Sequence, residues 1–171
     1  VSQVLSRAGR IDVLINNAGS GIGGALEEVS SQALEQLFQI NFFAATRLCS
    51  AILPCMRAQG SGQIINFSSL GGLAGLPYQG AYSATKFAVE GYTEALYNEV
   101  RAFGIHVSLV EPGDFSTGFT GHRTIAASPE SPYRADHQAA LKRIEADEQG
   151  GSHPRILAAK IARIVKTPRP R

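Results

Sequence analysis

The stretch Val13-Leu14-Ile15-Asn16-Asn17-Ala18-Gly19 decides the fold, because a short apolar run leads directly into a polar turn. Two further apolar runs, Gln63–Phe67 and Val107–Val110, also end in turn residues. Such runs are typical of strands that are buried on both faces of a sheet. Long helical patterns separate the three runs. Alternating strands and helices predict an α/β protein with a doubly wound parallel sheet.

Polar and glycine-containing turns follow the three predicted strands. Asn16–Gly19 follows the first strand, Ser69 lies just after the second, and the turn Pro112–Thr117 follows the third. The carboxyl ends of parallel strands meet at one edge of a sheet, and ligands bind beyond that edge in open α/β folds. We therefore expect these segments to form one site.

The segment Tyr82-Ser83-Ala84-Thr85-Lys86 supplies a candidate acid–base pair for that site. On a helix, Tyr82 and Lys86 stand one turn apart on the same face, so the ammonium lies near the phenol oxygen. A fixed positive charge favours phenolate, and lowering the phenol pKa by about three units takes roughly 4 kcal/mol of differential stabilisation. The Ser69 hydroxyl would hold a substrate oxygen while Tyr82 gives or takes its proton.

In their order along the chain, these motifs resemble those of the short-chain dehydrogenase/reductase family, which implies a Rossmann-like fold. The resemblance also implies a role for each residue. Tyr82 is the general acid and base, and Ser69 orients the substrate oxygen. Lys86 lowers the Tyr82 pKa and reaches the nicotinamide ribose. Asn41 matches the asparagine of the family that props a helix bend and holds a water leading towards the lysine.

The same resemblance implies NAD or NADP as cofactor and hydride transfer to or from a secondary alcohol or ketone. Substrate contacts are expected from Ser69, Tyr82 and Phe115. The dipeptide Glu111-Pro112 resembles the sequence found in the branch of the family that contains 17β-hydroxysteroid and retinol dehydrogenases. The expected cofactor contacts are Asn16, Ala18, Gly19, Tyr82, Lys86, Pro112, Gly113 and Thr117.

Apolar residues around the expected pocket favour a hydrophobic small-molecule alcohol or carbonyl substrate, although core packing explains several of them equally well. They are Leu73, Leu76, Tyr78, Phe115, Phe119 and Tyr133.

The run Gly19-Ser20-Gly21-Ile22-Gly23-Gly24 satisfies the dinucleotide-binding fingerprint, but its context argues against that role. A true fingerprint is followed about 20 residues later by an acidic residue at the end of the next strand, and here that position falls within a helical pattern. We expect a flexible loop instead. In the family, the phosphate-binding glycine loop precedes the matched segment and one more strand follows it. Residues 1–171 are therefore expected to form one partial Rossmann-type domain with an incomplete sheet, within a longer protein.

Two long amphipathic patterns predict helices over about Ser31–Leu53 and Tyr82–Phe103. Asn41 falls on the apolar stripe of the first helix, where a buried amide needs backbone or water partners. From the residues alone, an asparagine that only stabilises a helix distortion is an equal possibility. The stripe contains Leu34, Leu37, Phe38, Ala45, Leu48, Cys49 and Ile52.

Small residues along one side of the second helix permit close packing. The family resemblance implies a homodimer or homotetramer through the two long helices, but the sequence does not separate such an interface from burial against the sheet. This side contains Ala84, Phe87, Ala88, Gly91, Ala95 and Val100.

The remaining chain divides the predicted domain into three parts. The resemblance covers 11–117, the expected catalytic core. Residues 118–153 are rich in Gly, Ser, Pro and charge, with a weak helix over about Ala135–Glu148, and resemble the variable substrate lid of the family. A last helix is predicted over 154–166. Its inward residues would be Leu157, Ile161, Ile164 and Val165.

Composition narrows the function classes. The chain of 171 residues is 44% hydrophobic and 18% charged, with a formal net charge of +2, which is ordinary for a globular protein and argues against a nucleic-acid partner. No run of eighteen uninterrupted apolar residues and no signal pattern is present, so neither membrane insertion nor export is expected, and the cytoplasm is the expected location. Cys49 and Cys55 are expected to be buried free thiols, and the four histidines to be solvated or locally paired, with no metal site.

The sequence is also compatible with two other functions. The epimerase and dehydratase branch shares the Tyr and Lys spacing, but it carries a larger substrate domain than the residues after Thr117 provide. The second alternative is a catalytically inactive segment of such an enzyme, acting at most as a structural or regulatory module.

Overall fold

The computed structural model describes residues 1–167, and a three-stranded parallel sheet forms its centre. The sheet has the order β1-β3-β4, and Ile65 of β3 lies opposite Ile15 of β1 and Ser108 of β4. The three predicted strands are therefore confirmed, as is the incomplete α/β sheet. Burial on both faces holds for β3 but not for β1, where Ile15 is 45% exposed. The strands in chain order are β1 (Val13–Asn16), β2 (Ile22–Gly23), β3 (Gly62–Phe67), β4 (Ile105–Val110) and β5 (Thr124–Ile125).

The long helices pack against the sheet and enclose the main core. Their buried side chains contact those of β3 and β4, which explains why both strands are apolar. The helices of the described residues are α1 (Ser2–Ala8), α2 (Ser31–Phe38), α3 (Ala44–Gln59), α4 (Gly80–Val100), α5 (Arg134–Gln149) and α6 (Pro154–Lys166). The core consists of Cys49, Ile52, Met56, Ile64, Leu96, Val100, Ile105 and Val107.

The first long helix differs from its prediction in two ways. A π-helical turn over Gln39–Phe43 joins α2 to α3, and the helix continues past Pro54 to Gln59. The proline removes one backbone hydrogen bond, but full burial of Met56 in the following turn offsets that loss. Leu34 and Leu48, which were both predicted to lie on the buried stripe, are 36% and 41% exposed.

The buried face of α4 is not the side with the small residues. Ala84, Phe87 and Gly91 are exposed, whereas Thr85 and Thr93 face the interior. Each buried threonine hydroxyl donates to a backbone carbonyl of its own helix, and this removes the penalty for burying it. Of the residues on this side, Ala84, Phe87, Gly91 and Ala95 are exposed, Ala88 is half-buried and Val100 is buried, so burial against the sheet does not account for most of them.

The glycine run Gly19–Gly24 is not a flexible loop, so that expectation was wrong. Its residues Ile22 and Gly23 form β2, which pairs in parallel with β5 of the predicted lid. Gly21 to Gly24 are all buried. A 3-10 turn, Leu26–Glu28, follows the run in place of a long helix, which agrees with the rejection of this run as a phosphate-binding fingerprint.

The predicted helices of the carboxyl-terminal part are confirmed as α5 and α6. Of the inward residues proposed for α6, Ile161 is buried and Val165 is 37% exposed. The division into core, lid and last helix remains a prediction.

The predicted environments of the thiols and imidazoles hold only in part. Cys49 is buried and Cys55 half-buried, and both are free. His137, expected to be solvated or locally paired, is instead 4% exposed and stacks on Tyr78 with ring centroids 5.5 Å apart. Within residues 1–167, no group of three or more His, Cys, Asp or Glu side chains is placed to hold a metal ion.

By length and composition alone, the helical stretch Ser31–Gln59 is apolar enough to cross a membrane. Core helices pass the same test, and Ile52 and Met56 of this stretch lie in the core between helix and sheet. The absence of a membrane partner and the cytoplasmic location remain predictions.

Candidate active site

A cleft of about 710 Å³ opens at the carboxyl ends of the central strands. Gly19 after β1, Ser69 after β3 and Gly113 after β4 all line it, as the position of the turns predicts. The helix α4 contributes Tyr82 and Lys86 from its first two turns. Segments that are distant in sequence therefore meet in one cavity.

Ser69 and Tyr82 lie side by side in this cleft. Ser69 caps the 3-10 turn Leu70–Gly72, and its Oγ accepts a hydrogen bond from Gly71 N at 3.2 Å. The cap fixes the serine in front of the Tyr82 ring, which is 9% exposed. Because a hydroxyl both donates and accepts, Ser69 Oγ can donate its own proton while it accepts from Gly71 N.

The electrostatics of Tyr82 differ from the prediction. Burial raises the Tyr82 pKa above its ordinary value and the charge of Glu148 raises it further, whereas a hydrogen bond with Ser69 and the charge of Arg123 act in the opposite direction. The expected lowering of the Tyr82 pKa by Lys86 is therefore wrong for this structure. The physical reason is that desolvation of the phenolate outweighs the favourable interactions.

Lys86 is 5% exposed and points between the tyrosine and the sheet. Its Nζ donates to the Phe67 carbonyl at 3.0 Å and lies 5.6 Å from the centroid of the Tyr82 ring. Burial lowers the Lys86 pKa to about 8, with Glu90 acting weakly in the opposite direction. Among the described residues Phe67 O is the one acceptor of this ammonium, so two of its three N–H groups are left for a ligand.

Asn41 lies at the π turn, 3% exposed, and its amide is held by protein groups. Its Oδ1 accepts from Ser20 N at 2.8 Å, and its Nδ2 donates to Ser20 O at 2.9 Å and to Thr85 Oγ1 at 3.0 Å. The predicted backbone partners are thus confirmed. Asn41 joins the glycine run to α4 at a helix distortion, and its contact with a water remains a prediction.

Two of the expected cofactor contacts lie outside the cleft. Asn16 and Ala18 line a separate cavity of about 30 Å³. Asn16 Nδ2 donates to Asn66 Oδ1 at 2.8 Å, which ties β1 to β3. Asn17, which was not predicted, lines the cleft instead. Side chains alternate in direction along an extended strand, and sequence proximity to Gly19 does not reveal which asparagine faces the ligand.

The turn after β4 lies where the prediction puts it. Pro112, Gly113, Phe115 and Thr117 line the cleft. Thr117 Oγ1 accepts from Phe119 N at 3.2 Å and so stiffens the turn. Of the apolar residues expected around the pocket, Leu76 and Phe119 join Phe115 in the lining, whereas Leu73, Tyr78 and Tyr133 do not belong to it.

The helix α5, within the predicted lid, contributes cleft residues that the sequence analysis missed. Its charged members come from the solvated-looking face of a weak helix, where no local pattern separates a pocket residue from a surface residue. Together with Leu157 from α6 they line the same cleft as the turns after the central strands. The α5 residues are Ala140, Arg143, Ile144, Asp147 and Glu148.

The donors and open backbone at one end of the cleft fit the nicotinamide half of NAD or NADP. A Cβ at Gly19 would lie 3.6 Å from Asn41 Oδ1 and 3.8 Å from Lys86 Nζ, so glycine leaves the space beside the ammonium free. Two free ammonium N–H groups suit the vicinal hydroxyls of a ribose. Asn17, Gly19, Lys86 and Thr117 are the residues placed to hold that half.

Comparison with known proteins places this geometry in a family. Residues 1–127 match the sequence profile of the short chain dehydrogenase family. The chain is 51% identical to the 3-ketodihydrosphingosine reductase of Bacteroides thetaiotaomicron, over 99% of this chain and 64% of that protein. It is 45% identical to retinol dehydrogenase 8 of Bos taurus, over 71% of this chain and 39% of that protein. The chain thus spans less than two thirds of the length of these relatives.

Solved structures agree with the sequence comparison. A short-chain dehydrogenase from Streptomyces avermitilis superposes with a TM-score of 0.86 at 39% identity, over 99% of this chain and 62% of that one. A short chain dehydrogenase/reductase from Burkholderia phymatum in complex with NAD gives a TM-score of 0.75 at 29% identity, over 88% and 56% of the two chains. ElxO with NADP bound gives 0.65 at 32% identity, over 67% and 46%. The Rossmann-like fold class is confirmed, and the protein belongs to the short-chain dehydrogenase/reductase family.

Proposed function

We propose that this protein transfers a hydride between NAD or NADP and a secondary alcohol or ketone, with Tyr82 as general acid and base. The convergence of Ser69, Tyr82 and Lys86 on one cleft carries the proposal. Cofactors in the solved relatives and the donors around Gly19 support the choice of NAD or NADP.

The residues of this chain divide the work of the reaction. Ser69 Oγ donates a hydrogen bond to the carbonyl oxygen of the substrate, and the Tyr82 hydroxyl transfers its proton to that oxygen as the carbonyl is reduced. The raised Tyr82 pKa keeps the phenol protonated at neutral pH, which suits the direction from ketone to alcohol. Lys86 holds the ribose hydroxyls through its two free N–H groups. The bound nicotinamide supplies the hydride.

The substrate class follows from the lid and the lining. Similarity to the 3-ketodihydrosphingosine reductase extends over nearly the whole chain, lid included. A lid shapes the pocket that it covers, so we propose a substrate of the same class, a long-chain amino ketone. Asp114 and Asp147 place carboxylates in the cleft that suit an ammonium group. The lining suits an alkyl chain through Leu70, Leu76, Phe115, Phe119, Ile144 and Leu157.

The test is reduction of 3-ketodihydrosphingosine by the intact protein. The reaction is monitored through the loss of NADH or NADPH absorbance. Retinal and a 17-ketosteroid serve as comparison carbonyls, and a long-chain ketone without the amino group tests the carboxylates. We expect the amino ketone to have the highest kcat/KM. Equal kcat/KM for all four compounds would contradict the substrate class, and no turnover with any of them would contradict the proposed reaction.

We also propose a homodimer or homotetramer through the long helices. Phe87 of α4 is 46% exposed and Phe43, just before α3, is 39% exposed, and these exposed apolar side chains support an interface through the two long helices. Sedimentation velocity of Phe87→Asp should give a smaller species than the parent protein. An unchanged sedimentation coefficient would contradict this interface.

A further inference from the structure

Two glycines of the run Gly19–Gly24 make room for side chains of the lid segment. A Cβ at Gly21 would lie 3.1 Å from Phe119 Cζ, and a Cβ at Gly23 would lie 3.2 Å from Arg123 Cδ. Both distances are shorter than ordinary van der Waals contact, so any larger residue would push these side chains away. The pairing of β2 with β5 fixes the register of this contact. Gly21 and Gly23 therefore form a surface on which Phe119 and Arg123 pack, and this surface is called the seat below.

Arg123 reaches from this seat to the lid helix. Its side chain is 1% exposed, and its Nη2 donates to Glu148 Oε1 in the last turn of α5. Glu148 Oε2 accepts from Thr120 Oγ1 at 2.7 Å, so both carboxylate oxygens hold the segment Thr120–Arg123. Removing one partner of a buried ion pair leaves the other charge uncompensated, which is strongly destabilising. The ion pair between Arg123 and Glu148 therefore fixes α5 to the segment Thr120–Arg123.

The same arginine is connected to the proposed acid and base through one aromatic ring. The Arg123 guanidinium lies 5.8 Å from the centroid of the Phe119 ring, and that ring lies 5.9 Å from the ring of Tyr82. Glu148 and Phe119 both line the cleft. The contacts of Arg123 with Glu148 and Phe119 thus both fix the lid helix and position Tyr82.

The geometry points to a latch in which Arg123 and Glu148 hold the lid helix against Gly21 and Gly23 and press Phe119 onto Tyr82. The inference rests on the proposed function, since it concerns the same site. Arg123 and Glu148 are positioning residues, because they act on Tyr82 through Phe119 and through their charges. The latch also gives the glycine run a function other than phosphate binding.

The charges of the pair predict a signature that packing alone does not produce. Glu148 raises the Tyr82 pKa and Arg123 lowers it. The other polar groups facing Tyr82 are Ser69 and Lys86. Around the pair itself lie Asp114 and Asp147 beside Glu148, and His137 beside Gly23. None of these groups changes in the two substitutions Glu148→Gln and Arg123→Met, so the direction of the pH shift identifies the charge removed.

The first experiment measures the pH–rate profile of alcohol oxidation by the intact enzyme. Glu148→Gln should move the profile to lower pH and Arg123→Met to higher pH, with a KM for the carbonyl substrate raised about tenfold in both. Glu145→Gln, on the same helix, is the control and should match the parent enzyme. If the pH–rate profiles of both variants shift in the same direction, or do not shift, Arg123 and Glu148 do not act on Tyr82 through their charges.

The second experiment needs no activity and so separates failure of the latch from failure of the proposed reaction. A double-mutant cycle of Arg123→Met and Glu148→Gln, read by urea unfolding, should show coupling of at least tenfold in the unfolding constant. Additive effects would overturn the latch even in an active enzyme.

Gly23→Ala should raise the KM for the carbonyl substrate and leave cofactor affinity unchanged. A weakened cofactor affinity with an unchanged carbonyl KM would overturn the seat and restore a phosphate-binding role for the run.

Discussion

Replacing Lys86 by methionine should stabilise the folded protein at neutral pH, although it removes a residue of the proposed site. The ammonium is 5% exposed, and burial lowers its pKa from 10.5 to about 8. A cation with a lower pKa in the folded than in the unfolded chain opposes folding while it is protonated. Methionine fills a similar volume without the charge. An active-site residue is thus expected to be a source of instability.

The sign and size of the effect follow from proton linkage. Below pH 8 the lysine is protonated in both states, and the full desolvation cost is present. Between pH 8 and 10.5 the folded lysine has lost its proton and the unfolded one has not, so stability rises with pH. The change from 10.5 to about 8 corresponds to about 3 kcal/mol. Loss of the bond to Phe67 O offsets about 1 kcal/mol of this.

The assay is urea unfolding of the parent protein and of Lys86→Met between pH 6 and pH 9.5. We expect the variant to be more stable by about 2 kcal/mol at pH 6 to 7 and the difference to approach zero near pH 9.5. Lys142→Met, exposed on α5, is the control and should show no such pH dependence. A variant that is less stable than the parent at pH 7, or a difference that does not change with pH, would refute the reasoning.

Two further substitutions test the surroundings of Lys86. Asn41→Ala removes the hydrogen bonds to Ser20 and Thr85 and should lower the free energy of unfolding by about 3 kcal/mol. Urea unfolding measures this change. A loss of turnover at unchanged stability would instead favour a role of Asn41 in holding water. Gly19→Ala places a methyl group 3.8 Å from Lys86 Nζ and should raise the KM for the nicotinamide cofactor several-fold while the melting temperature stays within a few degrees. An unchanged cofactor KM in Gly19→Ala would mean that the cofactor does not approach this glycine.

The strands and the catalytic helix were predictable because local patterns determine them. An apolar run such as Gln63–Phe67 favours a strand that is buried between helices, and Tyr82 and Lys86 share a helix face by periodicity alone. The family resemblance added roles for Ser69 and Asn41, which no spacing supplies. These parts of the site depend on residues close in sequence or on motifs in a fixed order.

The lid contacts were not predictable for the opposite reason. Arg123 and Glu148 lie in segments with no apolar periodicity, and their pairing depends on a short strand that forms only when β2 and β5 meet. Likewise, Thr85 and Thr93 were not predicted to face the interior, since a threonine tolerates burial only once a partner for its hydroxyl is in place. The raised Tyr82 pKa depends on burial that no sequence pattern measures.

The most direct test of the proposed reaction is the turnover of Tyr82→Phe with Tyr97→Phe as its control. Phenylalanine keeps the ring against Phe119 but lacks the transferable proton, whereas Tyr97 is 45% exposed and lies fifteen residues further along α4. Turnover of the ketone by Tyr82→Phe should fall by about 100- to 10,000-fold, with cofactor affinity and the free energy of unfolding little changed, and Tyr97→Phe should match the parent enzyme. A well-folded Tyr82→Phe protein with near-normal turnover would contradict the account.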